Sequence, residues 1–535
     1  MSISAAIILS IHYSLVSLLC IYGAHRIFHS FAARRHTRDL LNAPQNLNSL
    51  DRAEWPLVTI QTPMYNEKFV AARIIDAVAA FDYPKDRLQI QVIDDSTDES
   101  IDVSAERVAY YKSQGFDIAH IRRPNRSGYK AGALADAMDD VKGQFIAIFD
   151  ADFIPTPDFL KRALPSFDDE NVGLVQSRWT YLNSRKNKLT RLQTVMLDAH
   201  FGIEQVTRFT KGMFFNFNGT AGIWRKETID DAGGWNSDTL TEDTDLSYRA
   251  QMKGWKFIYR PDIGCPSEIP EKMNAFKVQQ HRWAKGAIEV MRKLLPTVWA
   301  AKIPVRTKVE ATFHLTANLS YLLMFVDSLF FLLPSVHIRE QMGPSMLVWL
   351  DLPIFAFASL SHAYFFLSSQ KYLYGSVLNK LSIMPVLLAT SIGLGVNNGR
   401  AVIEALAGYK TSFARTPKSG DAAAKTALKD RYKTNNQNWS TYLELSLGVL
   451  YASFLAWAII QSYWVVTPFL ALFALGFLYT GLHSLSEQIE RRKKAQPADH
   501  VPIFTHVAPT TLLLTNLAEN DLNKMPPADI LVPAE

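Results

Sequence analysis

Long apolar blocks near both ends of this chain constrain its fold more than any other feature of the sequence. Residues 3–25 contain no Lys, Arg, Asp or Glu and are long enough to cross about 30 Å of hydrocarbon as a helix. Four later blocks, 311–334, 346–368, 445–464 and 466–485, are also long and carry few charges. We therefore predict an α-helical membrane region into which a soluble segment is inserted.

Basic residues beside the apolar blocks predict the orientation of the chain. Arg26, Arg34, Arg35 and Arg38 follow the first block, whereas a signal peptide would place its basic residues before it. The positive-inside rule then predicts the N-terminus outside and the central segment in the cytoplasm. Because the stretch 381–398 has a short apolar core with a polar end, we predict an interfacial helix there. This gives five crossings, of the plasma (inner) membrane.

These patterns divide the whole chain into segments. The predicted segments are an N-terminal transmembrane anchor (1–28), a cytosolic linker (29–54), a soluble domain (55–291), an interfacial segment (292–310), two transmembrane helices (311–368), a cytosolic interfacial helix with a loop (369–440), two transmembrane helices (441–485) and a cytosolic tail (486–535).

The soluble domain alternates short β-branched runs with amphipathic helical patterns. The predicted strands are 57–63, 89–94, 118–122, 145–150 and 172–178, and the predicted helices are 68–80, 99–113, 130–140 and 157–167. This alternation predicts an α/β fold with a doubly wound, mostly parallel sheet. Ligands of such sheets bind at the carboxyl ends of the strands.

Composition argues against two classes of protein. The 535 residues contain 56 Lys and Arg against 51 Asp and Glu, and a net charge of +5 is too small for a nucleic-acid-binding surface over a whole domain. The two cysteines, Cys20 and Cys265, are too far apart in the sequence to indicate a disulfide scaffold or a paired-cysteine metal site.

Acidic pairs occur where an α/β sheet presents its ligands. Asp94-Asp95 and Asp150-Ala151-Asp152 close two predicted strands, and Glu242-Asp243 open a helix. Carboxylates at a strand end can hold Mg²⁺ or Mn²⁺ on a diphosphate, although acids are also common in turns and helix caps. Lys130 lies in a glycine-rich helix start, which suits phosphate but could be an ordinary start.

Two further polar segments are candidates for ligand binding. The string from Gln279 to Trp283 offers an amide, a guanidinium and an indole within about one and a half helical turns. It could bind a diphosphate and a sugar, or it could lie at the membrane interface. The loop from Phe217 to Gly222 would allow backbone to approach a ligand closely, and an ordinary turn is the alternative.

Taken together, these motifs resemble the D, DxD, D, QxxRW signature of the processive family 2 glycosyltransferases. The residues of the motifs are most similar to those of the cellulose synthase-like enzymes that make mannan, glucomannan or glucan backbones. The resemblance covers roughly residues 55–291. The motifs that carry it, in order, are Pro63 to Glu67, Asp94 to Ser96, Gly128 to Leu134, Asp150 to Asp152, Phe217 to Gly222, Thr241 to Asp243, and Gln279 to Trp283.

The resemblance implies a GT-A fold and a role for each matching residue. Asp243 would be the catalytic base, and Asp150 and Asp152 would hold Mg²⁺ or Mn²⁺. The residues implied to bind the nucleotide-diphospho-sugar donor are Tyr65, Glu67, Asp94, Asp95, Lys130, Asp150 and Arg282. The residues implied to bind the acceptor are Asn218, Gly219, Thr220, Glu242, Gln279 and Trp283.

Two features outside that domain need an interpretation. The segment from Phe413 to Lys418 resembles the FxVTxK gating loop of cellulose synthases through Phe413, Thr416 and Lys418, although Arg415 replaces its Val. Asp327 and Asp351 lie within apolar blocks, where they either line a wet path or pair one helix with another.

The function implied by the resemblance is inverting, metal-dependent polymerisation of a β-linked polysaccharide that crosses the membrane. A β-glucan from UDP-glucose is favoured, with a mannan or glucomannan from GDP-mannose next. The partners are the donor, the growing glycan, the lipid bilayer and an accessory export subunit. The alternatives are a ceramide-type lipid glycosyltransferase that adds one sugar, and a transporter or channel with a cytosolic regulatory domain.

Overall fold

The computed structural model describes residues 2–42, 54–343, 347–411 and 438–495. The strands are β1 Val58–Met64, β2 Leu88–Asp94, β3 Asp117–Ile121, β4 Phe145–Ile148, β5 Val172–Tyr181, β6 Gly222–Arg225 and β7 Lys256–Ser267. The α-helices up to the C-terminal membrane region are α1 Ile3–Leu41, α2 Ala71–Ala79, α3 Ser100–Ser113, α4 Tyr129–Ala137, α5 Phe159–Ala163, α6 Lys188–Ala199, α7 Gln205–Thr210, α8 Lys226–Asp231, α9 Glu242–Met252 and α10 Met273–Ala300. Those that follow are α11 Val305–Thr316, α12 Leu319–Val326, α13 Leu332–Met342, α14 Leu352–Tyr374, α15 Leu378–Leu381, α16 Met384–Leu406, α17 Asn438–Ile460 and α18 Thr467–Ala495.

One seven-stranded sheet in the order β3-β2-β1-β4-β6-β5-β7 forms the centre of the soluble domain. Strand β6 runs antiparallel to both of its neighbours, and every other pairing is parallel. Side chains of the central strands alternate between two apolar cores, so that Val58 and Ile60 pack on one face, and Ile146 and Ile148 on the other. The sheet is therefore covered on both faces, as expected for a doubly wound fold.

The five strands predicted from the sequence are all present, and β6 and β7 are additional. Strand β6 has four residues and directly follows the loop that begins at Phe217, so its run of apolar residues is too short to predict a strand. Strand β7 contains Pro261, Gly264 and Pro266, residues that weaken a strand assignment. Proline is tolerated there because β7 is an edge strand of the sheet.

Helix α1 is much longer than the predicted membrane anchor. It continues to Leu41, where a linker was expected from residue 29. The extension is helical because it packs on the soluble domain: Ala33 is fully buried in the core, and Thr37 Oγ1 donates to the Gly202 carbonyl at 2.8 Å. Helix α1 thus connects the membrane region to the sheet directly.

In the described part of the chain, six helical segments are long and apolar enough to span a membrane, one more than predicted. They are Ile3–Leu41, Leu319–Met342, Val348–Tyr374, Leu378–Leu406, Trp439–Ile460 and Thr467–Arg492. The additional candidate contains the stretch 381–398, which we assigned to an interfacial helix. Half of its most apolar window is buried inside the protein, a larger share than in the other five. The count of five crossings and the orientation remain predictions.

Helix α10 extends from the soluble domain and is held by the last two helices of the described chain. Glu487 on α18 accepts hydrogen bonds from the backbone N–H groups of Met273 and Asn274 at 2.6 and 3.0 Å. Lys277 forms a buried ion pair with Glu444 on α17 at 2.6 Å. Since the first N–H groups of a helix lack partners within it, the Glu487 carboxylate fixes where α10 begins.

The acids Asp327 and Asp351 both pair α1 with other helices. Asp327 is buried and lies 2.8 Å from His12 Nδ1. Asp351 accepts a hydrogen bond from the Tyr13 hydroxyl at 2.8 Å and forms a buried ion pair with Arg339 at 2.7 Å. Pairing between helices, one of the two interpretations offered from the sequence, therefore holds for both acids. Asp327 additionally lines a cavity in the membrane region.

Candidate active site

A polar cavity of about 170 Å³ lies at the carboxyl ends of β1, β2 and β4. Among the described residues outside glycine, Asn66, Tyr129, Ala221 and Ser462 have positive φ angles, and the first three lie within two residues of residues that line this cavity. Such strained backbone is concentrated at functional sites of proteins. Of the residues expected to bind ligands, those in the cavity lining are Tyr65, Glu67, Asp95, Lys130, Asp150, Asp152, Asn218, Gly219, Glu242, Asp243, Gln279, Arg282 and Trp283.

Lys130 joins the glycine-rich loop to the acid that follows β4. Its Nζ lies 2.5 Å from Asp150 Oδ1 and donates to the Gly219 carbonyl at 2.8 Å. Burial alone would lower the pKa of Lys130, but the carboxylates of Asp150 and Glu242 raise it. Lys130 is therefore a fixed positive charge in the cavity, suited to bind phosphate.

Asp243 lies in the first turn of α9 beside another acid, Glu242. Burial and the neighbouring charge of Glu242 raise the pKa of Asp243 to about 7, against 3.8 for an ordinary aspartate. Its Oδ1 accepts the backbone N–H of Thr244 at 2.7 Å, which fixes the side chain. A carboxylate whose pKa lies near neutrality can exchange a proton with a bound hydroxyl, as a general base must.

Helix α10 presents three of the expected binding residues to the cavity. Gln279, Arg282 and Trp283 are spaced three and four residues apart, so they project from one face of the helix. The next turns of α10 hold the segment around Asp243: Glu289 accepts the Leu240 N–H at 2.8 Å, and Lys293 pairs with Asp245 at 2.8 Å.

The loop after β1 forms the other end of the cavity. The guanidinium of Arg126 lies over the Tyr65 ring, 3.4 Å from its centroid, which is a cation–π contact. Asp95 is held by Arg123 through two hydrogen bonds of 2.9 and 2.6 Å. This end of the cavity offers an aromatic face, a guanidinium and a carboxylate. Such groups can stack on the base of a nucleoside and hydrogen-bond to its polar atoms.

Of the expected residues that the structure describes, Asp94 and Thr220 lie outside the cavity lining. The buried carboxylate of Asp94 is bonded by His120 at 3.0 Å and by the Ser96 N–H at 2.9 Å, so it shapes the loop after β2. The fully buried Thr220 accepts the Asp150 N–H at 2.9 Å and positions that acid. The expected gating-loop residues Phe413, Thr416 and Lys418 lie outside the described part of the chain.

Several residues of the site were missed by the sequence analysis. Arg126, Trp179 and Glu268 line the cavity, and His200 lies 2.9 Å from Asn218 Oδ1. Glu268 directly follows β7, a strand that was not predicted, and is paired with Arg73 at 2.8 Å. Arg126 lies two residues before Gly128 in the sequence. Of these missed residues, it is the one whose proximity to a predicted phosphate-binding motif could have indicated a role in the site.

Comparison with known proteins decides the class of this domain. Residues 56–286 match the family described as glycosyltransferase like family 2. This is a family 2 glycosyltransferase domain. The match and the observed sheet confirm the expected fold class, an α/β GT-A catalytic domain inserted in an α-helical transmembrane region. The matched residues lie within the predicted domain 55–291, whose boundaries remain a prediction.

This chain has relatives in plants. It is 41% identical over 280 residues to glucomannan 4-beta-mannosyltransferase 1 of Oryza sativa subsp. japonica, covering 51% of this chain and 53% of the relative. It is 45% identical over 254 residues to glucomannan 4-beta-mannosyltransferase 2 of Arabidopsis thaliana, covering 46% and 47%. This chain thus spans about half the length of the plant relatives that it matches.

Solved structures show a looser likeness to the glycosyltransferase. The mannosyltransferase PcManGT from Pyrobaculum calidifontis, in complex with GDP-Man and Mn²⁺, has 19% identity and a TM-score of 0.45, covering 68% of this chain and 99% of that one. The S. aureus protein TarS has 14% identity and a TM-score of 0.35, covering 65% and 54%.

The pKa of Asp243 predicts how sugar transfer by this domain should depend on pH. Only the deprotonated carboxylate accepts a proton, so kcat/KM should rise about tenfold per pH unit below pH 7 and level off above it. Replacing Glu242 by Gln removes the neighbouring negative charge and should move this rise to lower pH. Initial rates of the two proteins between pH 5 and 9 test this, and a pH profile that Glu242→Gln leaves in place would contradict it.

Proposed function

We propose that this chain is a processive, inverting glycosyltransferase that builds a β-linked mannan or glucomannan backbone from a nucleotide-diphospho-mannose donor. The observation that supports it best is the cavity in which Asp243, with a pKa near 7, shares a wall with Lys130 and Asp150. Similarity to two plant glucomannan 4-beta-mannosyltransferases supports mannose as the transferred sugar.

The preference for UDP-glucose and a β-glucan, drawn from the sequence, has no support among these relatives. Their names specify mannose, and the motifs read from the sequence bind the diphosphate rather than the distinguishing hydroxyl of the sugar. We therefore replace glucose by mannose, and GDP-mannose, the second choice from the sequence, becomes the favoured donor.

The proposed reaction is a single displacement. Asp243 takes the proton of an acceptor hydroxyl while that oxygen attacks the anomeric carbon, and the bond to the diphosphate breaks on the opposite side. An α-linked donor thereby gives a β-linked product. Lys130 and Arg282, which both line the cavity, stabilise the negative charge of the departing diphosphate.

A divalent cation fits the acids of this cavity. Asp150 and Asp152 both line it and supply the hard oxygen ligands that Mg²⁺ and Mn²⁺ prefer. In this proposal those two residues hold the ion, which when bound offsets charge on the diphosphate. Lys130 pairs with Asp150 and supplies part of the same neutralisation from the protein.

A second cavity, of about 300 Å³, lies among the membrane helices and suits the path of a glycan. Polar side chains (Asn318, Ser320, Ser391) and aromatic ones (Tyr321, Phe355) line it. Sugars stack on aromatic rings through their C–H faces and hydrogen-bond through their hydroxyls, so such a lining matches the growing chain. The proposal places the polymer in this cavity within the plasma membrane, and it includes no export subunit because no observation supports one.

The test is an assay of the purified full chain in detergent with Mg²⁺ or Mn²⁺. Radiolabelled GDP-mannose, GDP-glucose and UDP-glucose are supplied separately, and insoluble polymer and lipid extract are counted. We expect polymer from GDP-mannose that an endo-β-mannanase digests, with EDTA abolishing its formation.

Other outcomes would identify the alternatives. Label confined to the lipid extract would make the protein a lipid glycosyltransferase and contradict processive synthesis. Polymer made only from UDP-glucose would contradict the choice of mannose. No turnover of any donor, together with donor-independent flux of solutes in proteoliposomes, would favour a transporter.

A further inference from the structure

His200 stands in the wall between the catalytic cavity and the membrane cavity. It lines the membrane cavity, while its partner Asn218 lines the catalytic cavity, and the two side chains meet at 2.9 Å. The preceding helix shows the same division, since Leu197 lines the catalytic cavity and Met196 the membrane cavity. The contact between His200 and Asn218 therefore connects the linings of the two cavities.

The backbone that carries His200 is an irregular helix with fixed geometry. Residues His200–Glu204 form a π-helical turn between α6 and α7, and such turns occur frequently at functional sites. Its carbonyls have partners elsewhere: Tyr259 donates to Phe201 O at 2.9 Å, and Thr37 donates to Gly202 O at 2.8 Å. The position of the imidazole is thus set by β7 and α1 together.

Both nitrogens of His200 contact polar groups. Nδ1 lies 2.9 Å from Glu204 Oε2, and Nε2 lies 2.9 Å from Asn218 Oδ1. Glu204 is paired in turn with Arg26 of α1 at 3.4 Å, and Glu204 and Arg26 also line the membrane cavity. A row of contacting polar side chains therefore leads from the catalytic cavity into the membrane cavity. In order, its members are Asn218, His200, Glu204 and Arg26.

Asn218 adjoins the catalytic machinery directly. The next residue, Gly219, accepts a hydrogen bond from Lys130 at 2.8 Å, and a Cβ atom on it would lie 3.1 Å from Asp243 Oδ2. In the proposed function, an acceptor whose hydroxyl reaches Asp243 continues toward the membrane cavity, past this row. The side chain of His200 is 25% exposed, which leaves part of the ring open to a ligand.

We propose that His200 is a positioning residue that aligns the sugar acceptor where the catalytic cavity meets the membrane cavity. It holds the Asn218 amide in place and, together with Glu204, offers hydrogen-bonding groups to the sugar behind the reacting unit. The inference rests on the proposed function, because it needs a glycan acceptor that extends toward the membrane.

The test measures KM separately for acceptor and donor with the full chain in lipid nanodiscs. Acceptors are β-1,4-linked mannooligosaccharides, and the donor is GDP-mannose. His200→Ala should raise the KM for acceptor about fivefold, the effect of one lost hydrogen bond, while the KM for donor changes by less than about twofold. His200→Gln, which keeps a polar group toward Asn218, should restore most of the acceptor affinity.

His337→Ala is the matched control, because His337 is an exposed histidine of α13 that lines neither cavity. It should leave both KM values unchanged. The inference is overturned if His200→Ala leaves the KM for acceptor unchanged, or if it raises both KM values equally, as a general structural defect would. If the wild-type protein itself transfers no sugar to these acceptors, the proposed function fails first, and this result is distinguishable from the other two.

Discussion

Replacing Asp243 by Asn is expected to reduce sugar transfer by about three orders of magnitude, the typical contribution of a general base. The amide has nearly the same shape as the carboxylate but cannot take a proton at neutral pH. Because Asp243 is buried beside Glu242 in the first turn of α9, no other described acid occupies its place against Gly219. The loss should therefore appear in kcat, with donor affinity largely retained.

The measurement pairs the transfer rate with the Kd for the donor by calorimetry. Asp230→Asn is the control, since Asp230 is an exposed acid of α8 that pairs only with Lys226 among the described contacts. This control should keep its full rate. A rate for Asp243→Asn above about a tenth of the wild-type value would show that another group acts as the base.

Replacing Gly219 by Ala is expected to reduce transfer by about a hundredfold, the scale of a misplaced catalytic group. The added Cβ would lie 3.1 Å from Asp243 Oδ2, closer than most such contacts, and so press on the base, while its 3.6 Å distance from Lys130 Nζ is an ordinary contact. The backbone at Gly219 also has φ of +80°, a conformation that alanine adopts only with strain.

Gly212 supplies a matched control for the strain. It has φ of +62° and no heavy atom within 4 Å of an added Cβ. Gly212→Ala should therefore cost about 1–2 kcal/mol in stability and leave the rate unchanged. Thermal unfolding and transfer rate are measured for both variants. Equal rates in the two variants would mean that the space beside Asp243 is not critical for catalysis.

Much of the sheet and about half of the cavity lining could be predicted from the sequence. Strands β1 to β5 are short β-branched runs bounded by polar turns, and the acids after β2 and β4 are adjacent in the sequence to those runs. Since parallel strands bring their carboxyl ends to one edge, residues as distant as Asp95 and Asp150 were expected in one site. Helical spacing placed Arg282 and Trp283 close together, and the family resemblance assigned them to the site.

The remainder depends on contacts between distant segments, which leave little trace in the local pattern. Asp94 and Asp95 are neighbours of the same type, yet His120 binds one in the interior and Arg123 binds the other at the cavity. His200 stands in an ordinary amphipathic helix pattern, and its π turn exists because Thr37 and Tyr259 take the carbonyls. The length of α1 likewise follows from its packing on the sheet.

The carboxylate of Glu487 has a consequence for any attempt to work with the catalytic domain alone. The matched residues 56–286 end inside α10, and the N–H groups at the start of that helix are bound by a side chain two hundred residues later in the chain. A soluble fragment cut at the domain boundary would lose this cap together with the Lys277 ion pair. Biochemical reconstitution therefore calls for a protein that retains the last two helices, extracted in a detergent that preserves their packing.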